Sequence, residues 1–315
     1  METIKKIVKS NNVVLFLLLI LVVAFFGTLN PAFLRAVNLV QYINNGVVLG
    51  FLTLGLSATI ITGNFDLSIG SILGFGTVIM ALSLNNGVSL PLALVIGFLT
   101  ILILGAFNGF IVGFLRVPGM LATLGTSSLI YGISLVLTGG QAIGSYTPEY
   151  EFFGKSEIGT LPFGLILLII IFLLSVLLLE YTSWGRKLYL IGSAPTAARF
   201  SGISYPKEVL LAYIYSALMC FFGALILGSH MASGRADVGE PYVLQAVTAA
   251  VFGGIDIKGG SGSPVGAILG VMIFTLLTSG FTIIDISQFY KQVVTGVLLI
   301  VVLIIRNYRL IFNKS

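Results

Sequence analysis

Two acidic side chains stand out among the residues able to do chemistry, because both interrupt long apolar runs. They are Asp66 in Gly63-Asn64-Phe65-Asp66-Leu67-Ser68-Ile69-Gly70 and Asp256 in Gly253-Gly254-Ile255-Asp256-Ile257-Lys258-Gly259. Ionisable groups inside a membrane are costly and persist for function, so the pair makes an ion-coupled carrier one reading; at helix ends, the same carboxylates serve to start or stop helices. Other reactive types are nearly absent. One cysteine (Cys220) and one histidine (His230) provide no CxxC, HExxH or other metal-ligand spacing. The Gly-rich turn Gly259 to Gly266 lacks the lysine of a phosphate-cradling GxxxxGK[ST] loop, so no ATP site of that kind is expected. Gly260-Ser261-Gly262 has the wrong spacing for a nucleophile elbow, and His230 is remote. The chain is expected to be no enzyme and to bind no metal or cofactor itself.

What the apolar runs do carry is a sparse set of neutral hydrogen-bonding groups: Asn44, Asn45, Thr59, Thr62, Asn108, Thr123, Thr126, Ser127, Ser128, Gln245, Thr248 and Thr275, with aromatics such as Phe51 and Phe110 nearby. Neutral donors and acceptors beside rings suit an uncharged polyhydroxylated solute that binds loosely and leaves. The competing reading is hydrogen bonding between helices, worth under about 1 to 2 kcal/mol per group. Amides in lipid need a partner or water, which favours Asn44, Asn45 and Asn108; with Phe51, Thr123 and Gln245 they form the candidate translocation pathway.

These residues are positioned by an unusually apolar chain. Of 315 residues, 57% are hydrophobic and 9% charged, against about 25% charged in soluble domains, and the mean hydropathy is +1.10. Apolar blocks of roughly 18 to 25 residues match a hydrocarbon core of about 30 Å. The expected fold is all-α, a polytopic integral membrane protein in one domain over residues 1–315. About ten spans are predicted, at Val13–Gly27, Leu39–Thr62, Ser68–Ser83, Leu90–Leu115, Gly119–Leu137, Leu161–Leu179, Val209–Gly228, Val243–Phe252, Pro264–Ile284 and Val293–Ile305, the eighth being short or broken. The first follows Lys5, Lys6 and Lys9 but is long for a signal peptide and lacks a small-x-small cleavage site, so it is read as retained.

With both termini in the cytoplasm, Lys5, Lys6, Lys9, Arg116, Arg186, Lys187, Arg199, Lys207, Lys258, Arg306, Arg309 and Lys314 lie inside, and Arg35, Lys155, Arg235 and Lys291 outside. Roughly three quarters of the basic residues then face inward, as membrane insertion favours. The formal charge of +5 is scattered along the spans, so it suggests a membrane and no nucleic acid. Glycines four apart at Gly46/Gly50, Gly70/Gly74, Gly105/Gly109/Gly113 and Gly262/Gly266/Gly270 let helices approach closely, and tight packing within the bundle is the expected use. The two Asp-containing interruptions echo one another, Gly63 to Ser71 aligning with Gly253 to Ser261, as a duplicated helix-break-helix unit would.

The inner loop, about residues 181–208, contains Gly192-Ser193-Ala194-Pro195-Thr196-Ala197-Ala198-Arg199-Phe200-Ser201-Gly202-Ile203. Pro at a helix start, paired alanines and Gly past the end spell a short helix outside the membrane. Such a helix presents Arg199 and Phe200 either to a groove on another protein or to the bilayer surface.

At these residues the sequence resembles the permease family of bacterial ATP-binding-cassette importers for ribose, xylose, arabinose, galactose and related small solutes, including autoinducer sugars. Gly63 to Gly70 is similar to the family's GGIDLSVG; Val117-Pro118-Gly119-Met120-Leu121-Ala122-Thr123-Leu124-Gly125-Thr126 and Leu137-Thr138-Gly139-Gly140-Gln141 to its VPPFIATLGT and LTGGQ. The inner-loop segment resembles its G-x-N-x-x-A-A-x-x-S-G-I, and Phe252-Gly253-Gly254 through Gln292-Val293-Val294-Thr295-Gly296 its C-terminal signature. The resemblance implies a pore of two permease subunits in the bacterial inner membrane, either a homodimer or a heterodimer. Two ATPase subunits would bind ATP and Mg beneath it, and a periplasmic binding protein would deliver solute from above. It further implies that Pro195, Thr196, Ala197, Ala198, Arg199, Phe200 and Ser201 form the cytoplasmic coupling helix seated on the ATPase, and that Glu149, Glu151, Asp237 and Glu240 face the binding protein. Asp66, Gly70 and Asp256 mark the helix-break motif. Ala194 departs from a family Asn and is a poorer helix cap by about 1 kcal/mol; Asn64, Phe65, Gln245 and Ile255-Asp256 also depart from the family's residues.

Overall fold

The computed structural model describes residues 11–144, 147–287, 289–294, 296–297, 300 and 304. The helices in chain order are α1 (Asn11–Leu29), α2 (Ala36–Asn45), α3 (Val47–Ile61), α4 (Ile69–Asn85), α5 (Leu90–Gly113), α6 (Gly119–Thr138), α7 (Pro148–Lys155), α8 (Phe163–Val176), α9 (Ser183–Ser193), α10 (Pro195–Phe200), α11 (Tyr205–Met231), α12 (Glu240–Phe252) and α13 (Pro264–Ile283). A π turn, Leu177–Tyr181, prolongs α8. Two short antiparallel ladders cover the end of the bundle where α11 finishes: β1 (Ile143–Gly144) with β4 (Ser233–Gly234), and β2 (Glu157–Ile158) with β3 (Leu161–Pro162).

Among the described residues, six helices are long and apolar enough to cross a membrane, and the bent pair α2/α3 makes a seventh. The predicted spans at 68–83 and 243–252 form α4 and α12, with 17 and 13 residues, each adjoining a Gly-Asp break. The tenth predicted span falls largely outside the described residues, as do Lys5, Lys6, Lys9, Arg306, Arg309 and Lys314. The continuous span expected at 39–62 is two helices at 44°. The bend falls at Asn45-Gly46, residues of low helix propensity. A side chain at Gly46 would meet Thr275 Oγ1 at 2.7 Å, so α13 passes the bend at a distance only glycine allows.

All 15 residues of α3 are buried, as expected of a helix that is apolar all round. It packs against α11, whose 27 residues span about 40 Å. The Gly105/Gly109/Gly113 ridge of α5 forms the opposite wall of α11. Added side chains there would meet Tyr213 O at 2.8 Å, Leu210 Cα at 2.8 Å and Pro206 O at 2.7 Å, so the seam expected from the glycine spacing lies within the chain. A second cluster, Leu15, Val22, Phe26, Phe33, Ile273 and Leu276, fixes α1 to α13.

Distances along α11 place the two short helices. The break before α4 touches Ser216 through Asp66, and Ile69 O lies 3.7 Å from Cys220 Sγ; these residues stand about 16 and 22 Å along α11 from Tyr205. The helix α4 therefore starts near the middle of the bundle. After α11 the chain turns back: Gly234 lies against Thr77, Ala236 O against Gly74, and Gly239 against Gly70. Residues 233–239 thus descend beside α4, and α12 also starts at mid-level. Glu240 consequently sits well below Glu149 and Glu151, whose helix α7 packs Gly154 against His230 at the far end of α11.

Candidate functional site

The break between α3 and α4 is a polar knot closed by three other helices. Asp66 is fully buried; its Oδ1 accepts from the Ser68 amide at 3.1 Å and from Ser68 Oγ, and its Oδ2 from Ser216 Oγ at 2.8 Å. Ser68 Oγ accepts in turn from Asn108 Nδ2 at 2.7 Å. Thr123 Oγ1 accepts from the Leu67 amide at 3.0 Å, and Tyr213 donates its hydroxyl to Phe65 O at 2.8 Å. The contacts to the Ser68 and Leu67 amides and to Phe65 O satisfy backbone groups that the broken helix leaves open, which is how irregular backbone survives at membrane depth; the others hold the partner side chains in place. Among the described residues, Asn108 Oδ1 is buried without a hydrogen-bond partner. No ion pair reaches Asp66 among the described residues.

The second break, between α12 and α13, uses the same devices. Gly63 and Gly254 have φ of +81° and +91°, and each closes its helix with paired bonds: Gly63 N to Ile60 O and Asn64 N to Thr59 O, matched by Gly254 N to Val251 O and Ile255 N to Ala250 O. This is the glycine-terminated αL helix end. Asp256 Oδ1 accepts from the Lys258 amide at 3.0 Å, as Asp66 does from Ser68. The structural register pairs Gly63 with Gly254, one residue away from the sequence alignment, because the second break has one residue fewer between glycine and aspartate. The breaks also touch: Gly260 donates its amide to Ile61 O at 2.8 Å.

Above them opens a cavity of about 370 Å³ lined by Asn45, Leu49, Pro241, Tyr242, Gln245, Phe274, Thr275, Thr278, Ser279, Thr282 and Lys291, a volume within the range of small-molecule sites. Its walls are the bend between α2 and α3, the first turns of α12, and one face of α13. Thr278 and Thr282 donate back to the carbonyls of Phe274 and Thr278, which leaves their oxygens as acceptors; Lys291 Nζ donates to Thr282 Oγ1 at 2.6 Å. Amides, hydroxyls, two rings and the Lys291 ammonium form the polar lining, a set of hydrogen-bond donors and acceptors.

Of the six pathway candidates, the structure brings Asn45 and Gln245 to this cavity, and Thr275, also singled out from the sequence, joins them. Asn108 and Thr123 belong to the Asp66 knot. Phe51 is fully buried, 5.6 Å from the Phe222 ring centroid, and Asn44 is half-buried outside the cavity lining. Sequence reasoning missed Thr278, Ser279, Thr282, Tyr242 and Lys291. The signal available was the run Thr275, Thr278, Ser279, Thr282, a hydroxyl stripe at helical spacing. Gly70 supports α4 against Gly239.

At the end of the bundle where α11 begins, α10 (Pro195 to Phe200) has buried Ala198 and leaves Pro195, Thr196, Ala197, Arg199 and Phe200 outward, Phe200 being 88% exposed. Ser201 caps it, its amide bonded to Ala197 O at 2.9 Å, and Ala194 gives no side-chain cap. One residue upstream, α9 leans on the bundle through the Lys187–Glu208 ion pair (3.0 Å) and through Tyr189, whose hydroxyl donates to Gly262 O at 3.0 Å. Burial and the nearby Glu180 push the Tyr189 hydroxyl up to about 12, so it remains a donor at physiological pH.

Residues 38–303 match a family described as the permease component of branched-chain amino acid transport systems. The ribose import permease protein RbsC of Bacillus subtilis (strain 168) is 32% identical over 292 residues, covering 92% of this chain and 91% of that protein. The autoinducer 2 import system permease protein LsrD of Escherichia coli (strain K12) is 30% identical over 299 residues, covering 93% and 91%. No solved structure matches the chain.

Proposed function

Since the chain belongs to the family described as the permease component of branched-chain amino acid transport systems, we propose that it is the membrane-spanning subunit of an ATP-driven importer. Its solute would be a simple sugar or sugar-like molecule. The relatives named for ribose and autoinducer 2 import support that choice of solute, and the observation that carries it is the cavity: eight of its eleven lining residues offer neutral or cationic hydrogen-bonding groups, and among the described residues no carboxylate lines it. Polyol hydroxyls can exchange water for these groups at little cost, so the solute binds weakly enough to leave.

In this reading the end of the bundle bearing α9 and α10 faces the cytoplasm, and the protein lies in the bacterial inner membrane with both termini inside. Pro195 to Ser201 act as the coupling helix on a separate ATPase that holds ATP and Mg; the outward Phe200 at the end of α10 supports this as an aromatic anchor able to fill a groove on that partner. A second permease subunit, identical or a sister chain, completes the pore. A periplasmic binding protein docks at the opposite end, where Glu149 and Glu151 lie on α7; Glu240, at mid-level, is left out of that surface. An ion-coupled carrier is not favoured, because the Asp66 carboxylate already accepts from three donors that hold the break together.

The test is reconstitution in liposomes with and without the partner ATPase and binding protein. Sugar accumulation only when both are present and ATP is inside is the expected result. Accumulation against a gradient by the chain alone refutes the proposal.

A further inference from the structure

The helix α9 touches both helix breaks at once. A side chain at Gly192 would meet Ile61 O at 2.0 Å and the Gly260 amide nitrogen at 2.4 Å, and one at Gly260 would meet Ser193 Cβ at 2.5 Å. The backbone of α9 is therefore seated directly on the end of α3 and on the turn that precedes α13. Three residues before Gly192, about one turn back on the same helix, Tyr189 bonds Gly262 O, and Gly260 bonds Ile61 O, so the two breaks are themselves joined. From this floor α3 rises to Leu49 and Asn45, about 18 and 24 Å away, and α13 rises to Thr275, about 16 Å away. All three line the cavity. One residue, Ala194, separates α9 from α10.

We propose that Tyr189, with the close seat at Gly192, forms a clasp that makes α9 carry both helix breaks together, so that displacement of α10 moves two walls of the cavity, α3 and α13, in one step. Tyr189 is a positioning residue: it acts at the floor and changes access to the cavity above. This rests on the reading of α10 as the ATPase-docking helix. Packed backbone and hydrogen bonds between rigid elements can carry coupling, and the bonded pair is the part that can be removed without emptying space.

The experiment uses the assembled complex of permease, ATPase and binding protein in liposomes. Thr278→Cys supplies a reporter thiol in the cavity; Cys220 is buried and stays silent. Labelling by a membrane-impermeant maleimide is measured with and without ATP, next to ATP hydrolysis and ATPase co-purification. Tyr189→Phe removes only the hydroxyl. The expected result is a nucleotide-dependent change in labelling rate reduced about fivefold, the factor carried by one hydrogen bond, while hydrolysis, co-purification and thermal stability hold. Gly192→Ala, which wedges α9 off Ile61, is expected to reduce the change as well. An unaltered labelling response in Tyr189→Phe overturns the clasp, as does a loss of ATPase co-purification in that variant, which would make Tyr189 an assembly residue. If Phe200→Ala leaves ATPase binding intact, or the parent reporter shows no nucleotide dependence, the docking reading itself falls and the clasp with it.

Discussion

Replacing Asp66 separates the structural account of the helix break from a role in ion coupling. In Asp66→Ala the Ser68 amide, Ser68 Oγ and Ser216 Oγ lose their acceptor in a fully buried site. A buried donor left unmade costs about 1 to 3 kcal/mol. Two of the three have alternatives: Ser216 can turn to the carbonyl one helical turn back, and Ser68 Oγ can turn to the unpartnered Asn108 Oδ1. The Ser68 amide has none, and the cavity left by the carboxylate adds to its loss. The net cost is about 2 to 4 kcal/mol, or about 30-fold or more in the local opening constant. In Asp66→Asn the amide oxygen still accepts from Ser68, and its NH2 can donate to Ser216 Oγ, so the cost falls to about 1 kcal/mol. Hydrogen exchange over residues 64–70 in detergent or nanodiscs reads both values, and vesicle uptake reads function. The expected outcome is fast exchange and poor yield for Asp66→Ala, with near-native exchange and retained ATP-driven uptake for Asp66→Asn. Loss of uptake in Asp66→Asn with unchanged exchange would refute the argument, because a titrating carboxylate would then be needed for transport itself.

Gly109→Val brings its Cβ to 2.8 Å from Leu210 Cα; separating α5 from α11 should cost about 1 to 3 kcal/mol, seen as a lower aggregation temperature in detergent, and an unchanged temperature would remove the seam from the account. Thr278→Val keeps volume and deletes a cavity hydroxyl; sugar uptake should fall about five- to tenfold in the reconstituted system with binding-protein affinity unaltered, and unchanged uptake would take the cavity off the pathway.

Much of the fold was legible from local pattern. Apolar run length placed the spanning helices, because crossing a hydrocarbon layer fixes a minimum length whatever the neighbours are. Glycine spacing marked the α5–α11 seam, since four-residue spacing puts small residues on one helix face, and the Gly-Asp breaks were visible as polar interruptions. Less accessible was the bend at Gly46: an isolated glycine is tolerated in a straight helix, and here it is the approach of Thr275 that uses it.

The site divides in the same way. Amide and hydroxyl side chains in apolar helices had to find partners or water, and the residue types alone determined that. Which of the two each would find was decided by tertiary structure. Asn108 and Thr123 meet a break that begins at mid-level and spend their hydrogen bonds holding it. Asn45 and Gln245, 200 residues apart in the chain, come together with the α13 hydroxyl stripe because residues 233–239 turn back into the bundle and start α12 halfway through it. Helical spacing tells which residues share a face; only the packing of helix against helix tells what that face meets.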